Sequence, residues 1–129
     1  MKIFEQYSSL LEIRAKEANS TEASINTLIK KQRPIGFIST PSTYDMHNMV
    51  NNGINMIQVP SNPHNSFVIY LDGHEAEAKE LLGIAEKYKG YLSPNATEEE
   101  QIRIGRILRY DERDIQDYVN RQKAKATIS

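Results

Sequence analysis

The sequence predicts an α+β fold that consists of an N-terminal αα-hairpin, a small central sheet of about three or more strands, and a helical C-terminal part. Apolar residues recur at helical spacing near both ends of the chain. Between these ends, short runs rich in β-branched and aromatic residues are separated by turn formers. The chain has 129 residues, of which 39% are hydrophobic, so we expect a single domain, 1–129, with one core.

Residues 1–33 predict the helical hairpin. Two apolar stripes at helical spacing lie on either side of a break at 19–21, and the second helix ends at Arg33 because a residue before proline is disfavoured in the helical region. The first stripe is wider than one partner helix requires, and we expect it to pack against further copies of the chain in a homodimer or higher oligomer. Packing of both helices on their own subunit is the alternative. The stripes consist of Ile3, Tyr7, Leu10 and Leu11, then Ile25, Leu28 and Ile29.

Residues 34–90 predict an α/β core built on three strands. The strands are expected at 36–40, 55–59 and 66–71, and the third is apolar enough to lie in the centre of the sheet. A helix connects the first two strands, which is typical of a β-α-β unit. A parallel pairing of those two strands is therefore one expected topology.

Two helices are predicted within this core. Ser42 is expected to cap the first helix, and Gly53 to end it. The second helix runs from about His74 to Lys89 and stops at Gly90. The buried sides are predicted to carry Met46, Met49 and Val50 in the first helix, and Ala78, Leu81, Leu82 and Ala85 in the second.

Residues 91–125 predict two C-terminal helices joined by a tight corner, followed by a frayed tail at 126–129. Thr97 is expected to cap the first helix with Glu100 completing a capping box, and Asp111 to cap the second. One side of the first helix is apolar and the other is cationic. The apolar side holds Ile104, Ile107 and Leu108, and the cationic side holds Arg103, Arg106 and Arg109.

Composition and charge exclude several classes of protein. The net charge of −1 argues against general duplex-DNA binding, which depends on a large positive excess. Without cysteine the chain forms no disulfide and no zinc-thiolate centre, so a reducing compartment suits it. Residues 1–18 lack the apolar stretch of a secretory signal or a membrane span, and we expect a cytoplasmic protein with no membrane partner.

Candidate catalytic and metal-binding patterns fail on spacing. The segment 72–79 superficially resembles the acidic set of metal-dependent nucleases, but Glu77 and Lys79 lie two residues apart on a predicted helix and cannot face one site. The three histidines form no i, i+4 pair. No nucleophile elbow, phosphate loop or dinucleotide fingerprint occurs in the sequence. We therefore predict no catalytic residue, no metal site and no cofactor, while a small nucleotide hydrolase stays open.

A binding site is predicted where the loop 88–95 meets the arginine-bearing helices. Tyr88 or Tyr91 could stack on a base, Asn95 could read a base edge or a ribose, and arginine could pair with phosphate in a bidentate fork. Simpler roles are half-buried packing for the tyrosines and a turn for Asn95. The four arginines also fit a solvated face with acidic partners. They are Arg103, Arg106, Arg109 and Arg113, with acids at Glu99, Glu100 and Glu112.

The segment SPNAT at 93–97 and the Arg113-Asp114 pair, in a short chain with a helical hairpin, a small sheet and arginine-bearing helices, resemble the phage anti-Thoeris proteins that act as sponges. Members of that family are oligomers that sequester signals of the cyclic ADP-ribose type without cleaving them. The resemblance implies ligand contacts at Asn95, Arg109, Arg113 and Asp114, with Arg33 contributing across subunits.

Together these observations predict a non-catalytic protein that binds a small phosphorylated nucleotide-like signal and so counters a host defence pathway, in the host cytoplasm if it is phage-encoded. Its partners would be that ligand and further copies of the same chain. The alternative is a protein-protein inhibitor or adaptor that docks through its charged C-terminal helices. A sponge takes up its ligand from solution and releases it intact, whereas an adaptor retains a protein.

Overall fold

The computed structural model describes residues 20–128, which form a three-stranded antiparallel sheet with helices packed on both faces. The predicted α+β class with a helical C-terminal part is confirmed. The first helix of the predicted hairpin falls on residues 1–19, outside the described part. The helices are α1 (Ser20–Ile29), α2 (Thr43–Asn51), α3 (Glu75–Glu86), α4 (Glu98–Ile107) and α5 (Glu112–Ile128). The strands are β1 (Ile35–Ser39), β2 (Asn55–Gln58) and β3 (Ser66–Tyr70).

The sheet has the strand order β1-β3-β2, so the central position predicted for β3 is confirmed. Both neighbours pair antiparallel with β3, and Phe37 and Ile57 both stand opposite Val68. The expectation of a parallel pairing between β1 and β2 is therefore wrong. These two strands do run in the same direction, but the turn-rich loop 60–65 returns the chain so that β3 inserts between them. This insertion leaves β1 at an edge of the sheet.

The two faces of the sheet pack against different helices because successive side chains of a strand point to opposite faces. Ile38 and Ile69 pack in one cluster with Leu28 of α1. Ile35 and Val68 point the other way and pack with α3, α4 and α5. The first cluster also contains Ile25, Met49 and Ile54, and the second also contains Leu81, Ile107, Ile115 and Val119. Each fully buried aliphatic side chain contributes about 1.5–3 kcal/mol, so both helical layers are held firmly.

Two capping boxes fix the starts of α2 and α4, as predicted. Ser42 Oγ accepts a hydrogen bond of 3.0 Å from the Asp45 backbone N–H, and the Asp45 carboxylate accepts one of 2.9 Å from the Ser42 N–H. Thr97 and Glu100 make the same reciprocal pair at the start of α4. Each box satisfies two N–H groups that a helix start would otherwise leave unpaired.

The predicted buried sides of the two core helices are confirmed with one exception. In α3, Ala78, Leu81 and Ala85 are buried. In α2, Met49 is fully buried, but Val50 is 69% exposed. Consecutive residues of a helix are about 100° apart around its axis, so the short contact between α2 and the sheet buries one of the two and not both.

The corner between α4 and α5 places Arg109 beyond the end of α4. Arg109 has a φ of 63°, and the N–H of Tyr110 closes the turn by donating to the Gly105 carbonyl oxygen at 2.9 Å. A left-handed residue is a common way to end a helix. Arg109 therefore does not share the helical face predicted for it with Arg103 and Arg106. The helix α5 begins directly after Asp111, the cap position that the sequence predicted.

The sequence predicted that α3 runs to about Lys89 and stops at Gly90, but α3 ends at Glu86 and a turn at 87–90 follows it. Gly90 closes this turn and lies against the loop 60–65. Its φ is 87°, and its carbonyl oxygen accepts a hydrogen bond of 2.7 Å from Asn62 Nδ2. A Cβ at this position would lie 2.5 Å from the backbone nitrogen of Asn62. Both the conformation and the close approach require glycine here.

We expect Gly90→Ala to lower the free energy of unfolding by about 2 kcal/mol or more, because it combines a disfavoured φ with an overlap against backbone. Gly83→Ala is the matched control, since Gly83 lies in α3 and a Cβ there meets nothing within 4 Å. That control should gain about 0.5–1 kcal/mol from the higher helix propensity of alanine. Urea unfolding measures both. A Gly90→Ala variant as stable as the wild type would contradict the close approach to Asn62.

Candidate functional site

Three of the four arginines predicted to bind phosphate at the C-terminal end lie in separate ion pairs. The structure does not bring these three together on one anion site, because each guanidinium already faces a carboxylate of the same chain. The pairs are Arg103 with Glu80, Arg106 with Glu112, and Arg109 with Glu77, with hydrogen bonds of 2.8, 2.7 and 2.7 Å. The alternative of a solvated face with acidic partners therefore describes these three residues, and Glu112 is one of the acids that the sequence named for it.

The surrounding carboxylates make this surface a poor place for a phosphate. Hydrogen bonds from Arg103 and Arg106 lower the pKa of Glu80 and Glu112, respectively, so both carboxylates stay ionised at neutral pH. The two arginines do line one depression, but Glu80 and two further glutamates line it as well. A phosphate placed there would meet several negative charges at short range.

Arg109 ties the corner after α4 to the start of α3. Its guanidinium holds both carboxylate oxygens of Glu77 at 2.7 and 2.9 Å and also donates to the carbonyl oxygens of Arg106 and Ile107 at 3.1 and 3.2 Å. His74 Nδ1 lies 3.2 Å from Glu77 Oε1. The hydrogen bonds from Arg109 and then from His74 lower the pKa of Glu77 to about 2, against the opposing effect of burial. The ligand contact that the resemblance implies for Arg109 would require this network to open.

Tyr88 anchors the loop 88–95 to α4. Its hydroxyl donates to Glu100, and the other oxygen of that carboxylate accepts a hydrogen bond from Lys87. The backbone N–H of Thr97 also donates to Glu100, at 2.9 Å. These hydrogen bonds, led by the one from Lys87, lower the pKa of Glu100 to about 2. Tyr88 is half-buried, as its alternative role predicted, but its hydroxyl is bound by Glu100 and does not face water as that role assumed.

The other predicted C-terminal site residues lie outside these networks. Asn95 is exposed, and its backbone N–H donates to Ser93 Oγ at 3.0 Å, as expected of a turn residue. In the first turn of α5, Arg113 is exposed whereas Asp114 is 1% exposed. Adjacent helical residues point in different directions, so this pair does not present one common surface to a ligand. The ligand contacts of these three residues stay predictions.

A pocket of about 290 Å³ lies along the outer edge of β1, between the two helical layers. We call it the edge pocket. Two of the predicted site residues, Arg33 and Tyr91, line it. Hydroxyl-bearing residues of α1 form one wall, and apolar and aromatic residues of the other layer form the opposite wall. These walls contain Thr21, Ser24 and Thr27 on one side, and Leu92, Leu108 and Tyr110 on the other.

The floor of the edge pocket is the main chain of β1. The Thr40 N–H donates to the Asn65 carbonyl oxygen, beside β3, at 3.0 Å. Along an antiparallel strand, the N–H and C=O groups of one residue point to the paired strand, and those of the next residue point away from it. In β1 the even-numbered residues therefore form hydrogen bonds to β3. The odd-numbered residues point their N–H and C=O groups to the pocket. Ser39 follows this rule, because its carbonyl oxygen accepts a hydrogen bond of 2.7 Å from the Thr21 hydroxyl of α1.

Arg33 brings a cation to the edge pocket. Its guanidinium carbon lies 4.5 Å from the centre of the Tyr110 ring, a cation–π contact, and its Nη1 lies 3.4 Å from the Tyr110 hydroxyl oxygen. Among residues 20–128, no aspartate or glutamate forms an ion pair with Arg33. Within that range, the positive charge of Arg33 therefore faces an aromatic ring and no carboxylate.

Tyr91 adds a second aromatic ring to the edge pocket. Its side chain is 40% exposed and meets the His64 ring edge-on, with the ring centres 6.1 Å apart. Tyr110 was not among the residues predicted from the sequence, although an aromatic residue close to several arginines is a signal for cation–π contacts. The hydroxyls of α1 could not be predicted either, because their place in the pocket depends on β1 being an edge strand.

Within 20–128, no group of three or more histidines and acidic residues is arranged to hold a metal ion. No helix in that range is long and apolar enough to cross a membrane.

We expect Glu77→Gln to lower the free energy of unfolding by about 1 kcal/mol at pH 7, because it breaks a bidentate hydrogen bond with Arg109 at a partly exposed site. Folding lowers the pKa of Glu77 from 4.5 to about 2. The stabilisation is therefore complete above about pH 5 and is lost as the pH falls towards 2. In urea unfolding, the gap between variant and wild type should shrink over that range.

Glu75→Gln serves as the control for this experiment. Glu75 pairs with Lys79 one turn along the exposed side of α3, at 3.1 Å, and such pairs contribute about 0.5 kcal/mol or less. If Glu77→Gln costs no more than this control at pH 7, the Arg109 network does not hold the corner in place.

No protein-family model matches the chain, and no curated protein or solved structure matches it either. The resemblance to the anti-Thoeris sponges therefore stays a prediction. The function of the protein is therefore inferred from the geometry of the edge pocket.

Proposed function

We propose that the protein binds a small phosphorylated nucleotide-like molecule in the edge pocket and withholds it from a receptor without changing it chemically. The observation that carries this proposal is Arg33, a guanidinium that no carboxylate of the described residues pairs with, at a slot between two helical layers. The proposal moves the centre of the binding site from the C-terminal helices to the edge of β1.

Arg33 suits a phosphate group. A guanidinium presents its N–H donors in a planar fork that matches two phosphate oxygens. At Arg109 that fork already holds both oxygens of Glu77, so a phosphate there would have to displace a carboxylate. The Arg33 guanidinium contacts the Tyr110 ring and donates a hydrogen bond of 3.4 Å to its hydroxyl. Within residues 20–128, nothing else binds its remaining N–H groups, and these can donate to an anion.

The walls of the edge pocket suit a nucleoside. Stacking of a base on an aromatic side chain contributes about 1–3 kcal/mol, and Tyr91 offers a partly exposed ring for it. The hydroxyl oxygens of α1 can accept hydrogen bonds from a ribose, although the hydroxyls of Thr21 and Thr27 already donate to the carbonyl oxygens of Ser39 and Ser24 at 2.7 Å. The hydroxyls are those of Thr21, Ser24 and Thr27.

The size of the pocket favours a compact ligand. Its volume of about 290 Å³ lies just below the range of about 300–1,000 Å³ that is typical of ligand sites. A mononucleotide is the simplest ligand that combines one ring, one ribose and one anion. A signal of the cyclic ADP-ribose type, as the resemblance implies, would place one nucleotide portion here and the rest outside. Sequestration in a host cytoplasm, and self-association through the N-terminal hairpin, belong to the same proposal.

We expect Arg33→Gln to weaken the binding of AMP at least about tenfold, because a charge-assisted hydrogen bond contributes about 1.5–3 kcal/mol and 1.4 kcal/mol is a factor of ten. Isothermal titration calorimetry on the full chain measures the affinity, and thermal unfolding checks that the variant folds. Arg106→Gln is the matched control, since Arg106 pairs with Glu112 and does not line the edge pocket.

Arg113→Gln separates the edge pocket from the site that the resemblance implies. The edge-pocket proposal requires unchanged AMP affinity in this variant. A large loss with Arg113→Gln and none with Arg33→Gln would place the ligand at the C-terminal helices and contradict the proposal.

We expect the bound molecule to leave the protein chemically intact. The wild-type protein is incubated with AMP or with cyclic ADP-ribose, separated from free ligand and denatured by heat, and the released molecule is identified by mass spectrometry. Recovery of the same molecule is the expected result for sequestration. A hydrolysed product would identify an enzyme, and a lack of uptake together with a retained protein from lysate would favour the adaptor.

A further inference from the structure

The main chain of Phe37 places at the centre of the edge pocket a donor and an acceptor that no other group of residues 20–128 binds. Phe37 is the middle one of the three odd-numbered residues of β1 that face the pocket. The carbonyl oxygen of Ser39 is already taken by Thr21. Among the described residues, no hydrogen bond reaches the N–H or the C=O of Phe37 from the pocket side. An extended residue holds these two groups side by side, facing the same way.

One type of purine matches this pair of groups better than the other. The edge of adenine at N7 and the 6-amino group carries one acceptor and one donor, whereas N7 and O6 of guanine are both acceptors. Adenine could therefore accept from the Phe37 N–H at N7 and donate its amino hydrogen to the Phe37 carbonyl oxygen. A 6-oxopurine would set O6 against that carbonyl oxygen and leave two acceptors facing each other, which is costly away from water.

We propose that the edge pocket selects adenine nucleotides over 6-oxopurine nucleotides through the main-chain N–H and C=O of Phe37. This inference rests on the proposed function, since it needs a nucleotide in the edge pocket. With the phosphate at Arg33, the sugar and base have a fixed direction along β1. A 6-oxopurine could offer a donor to the Phe37 carbonyl oxygen only by rotating so that its N1–H faces that oxygen. This rotation would withdraw its phosphate from Arg33.

The walls of the edge pocket discriminate little between purine bases, so the selection of adenine has to come from the main chain. Tyr91 offers a ring face, and every base stacks on such a face with little discrimination. The side chain of Arg33 recognises charge and not the base. A strand edge, in contrast, presents donors and acceptors in a fixed order, and this order is what an added strand reads when it pairs with the edge of a sheet.

The test compares AMP with inosine 5′-monophosphate and with 7-deaza-AMP by titration calorimetry on the full-length wild-type chain. Inosine 5′-monophosphate replaces the 6-amino group by an oxygen, and 7-deaza-AMP removes the N7 acceptor. Each should bind at least about tenfold more weakly than AMP. Equal affinities of AMP and inosine 5′-monophosphate would overturn the selection by Phe37 while leaving the proposed function in place. If none of the three nucleotides binds, the proposed function and this inference both fail.

A second measurement locates the contact on the main chain without altering a residue. Hydrogen exchange of individual amides is followed by NMR with and without saturating AMP. Exchange of the Phe37 amide should slow on binding. The Met56 amide is the control, because the register of β2 turns it outward at the opposite edge of the sheet. Unchanged exchange at Phe37 in AMP-saturated protein would overturn the main-chain contact, even if AMP is the preferred nucleotide.

Discussion

The antiparallel insertion of β3 between β1 and β2 determines where this molecule can bind a ligand. It places the most apolar strand in the centre and leaves β1 with an edge that pairs with no other strand of the described residues, although β1 precedes the other two strands in the chain. Each face of the sheet is covered by its own helices, so this edge lies in a slot between two layers. A strand edge that is open to solvent invites pairing with another chain, but the flanking walls narrow the access to this one. The same arrangement that builds the core therefore creates the edge pocket.

Four arginines of the described residues fall into two groups by what faces them. Arg103, Arg106 and Arg109 each meet a carboxylate, and Arg109 in addition binds two carbonyl oxygens at the end of α4. These contacts join helices that are distant in sequence, and they are best understood as part of the fold. Arg33 faces an aromatic ring instead. A guanidinium on a ring keeps N–H donors for an incoming anion, whereas one held by a carboxylate has to give up a partner first.

Much of the fold could be predicted from local sequence, and the functional geometry could not. The capping boxes at Ser42 and Thr97 depend on residues close in the chain, and the structure confirms them. The pairing of β1 depends on which strand the loop 60–65 brings beside it, which no local pattern specifies. The ion pair of Arg109 with Glu77 spans 32 residues, so the sequence named nearer acids instead. The edge pocket depends on strand pairing and on contacts between residues that are distant in sequence. For that reason, only Arg33 and Tyr91 of the residues that line it were predicted as site residues from the sequence.

A crystal structure of the full-length protein with AMP tests the central claim most directly. The account predicts the phosphate beside the Arg33 guanidinium and the adenine ring against the main chain of β1, with the Arg109–Glu77 pair still closed. A nucleotide bound instead at the arginines of α4 and the corner after it, with those ion pairs opened, would contradict it.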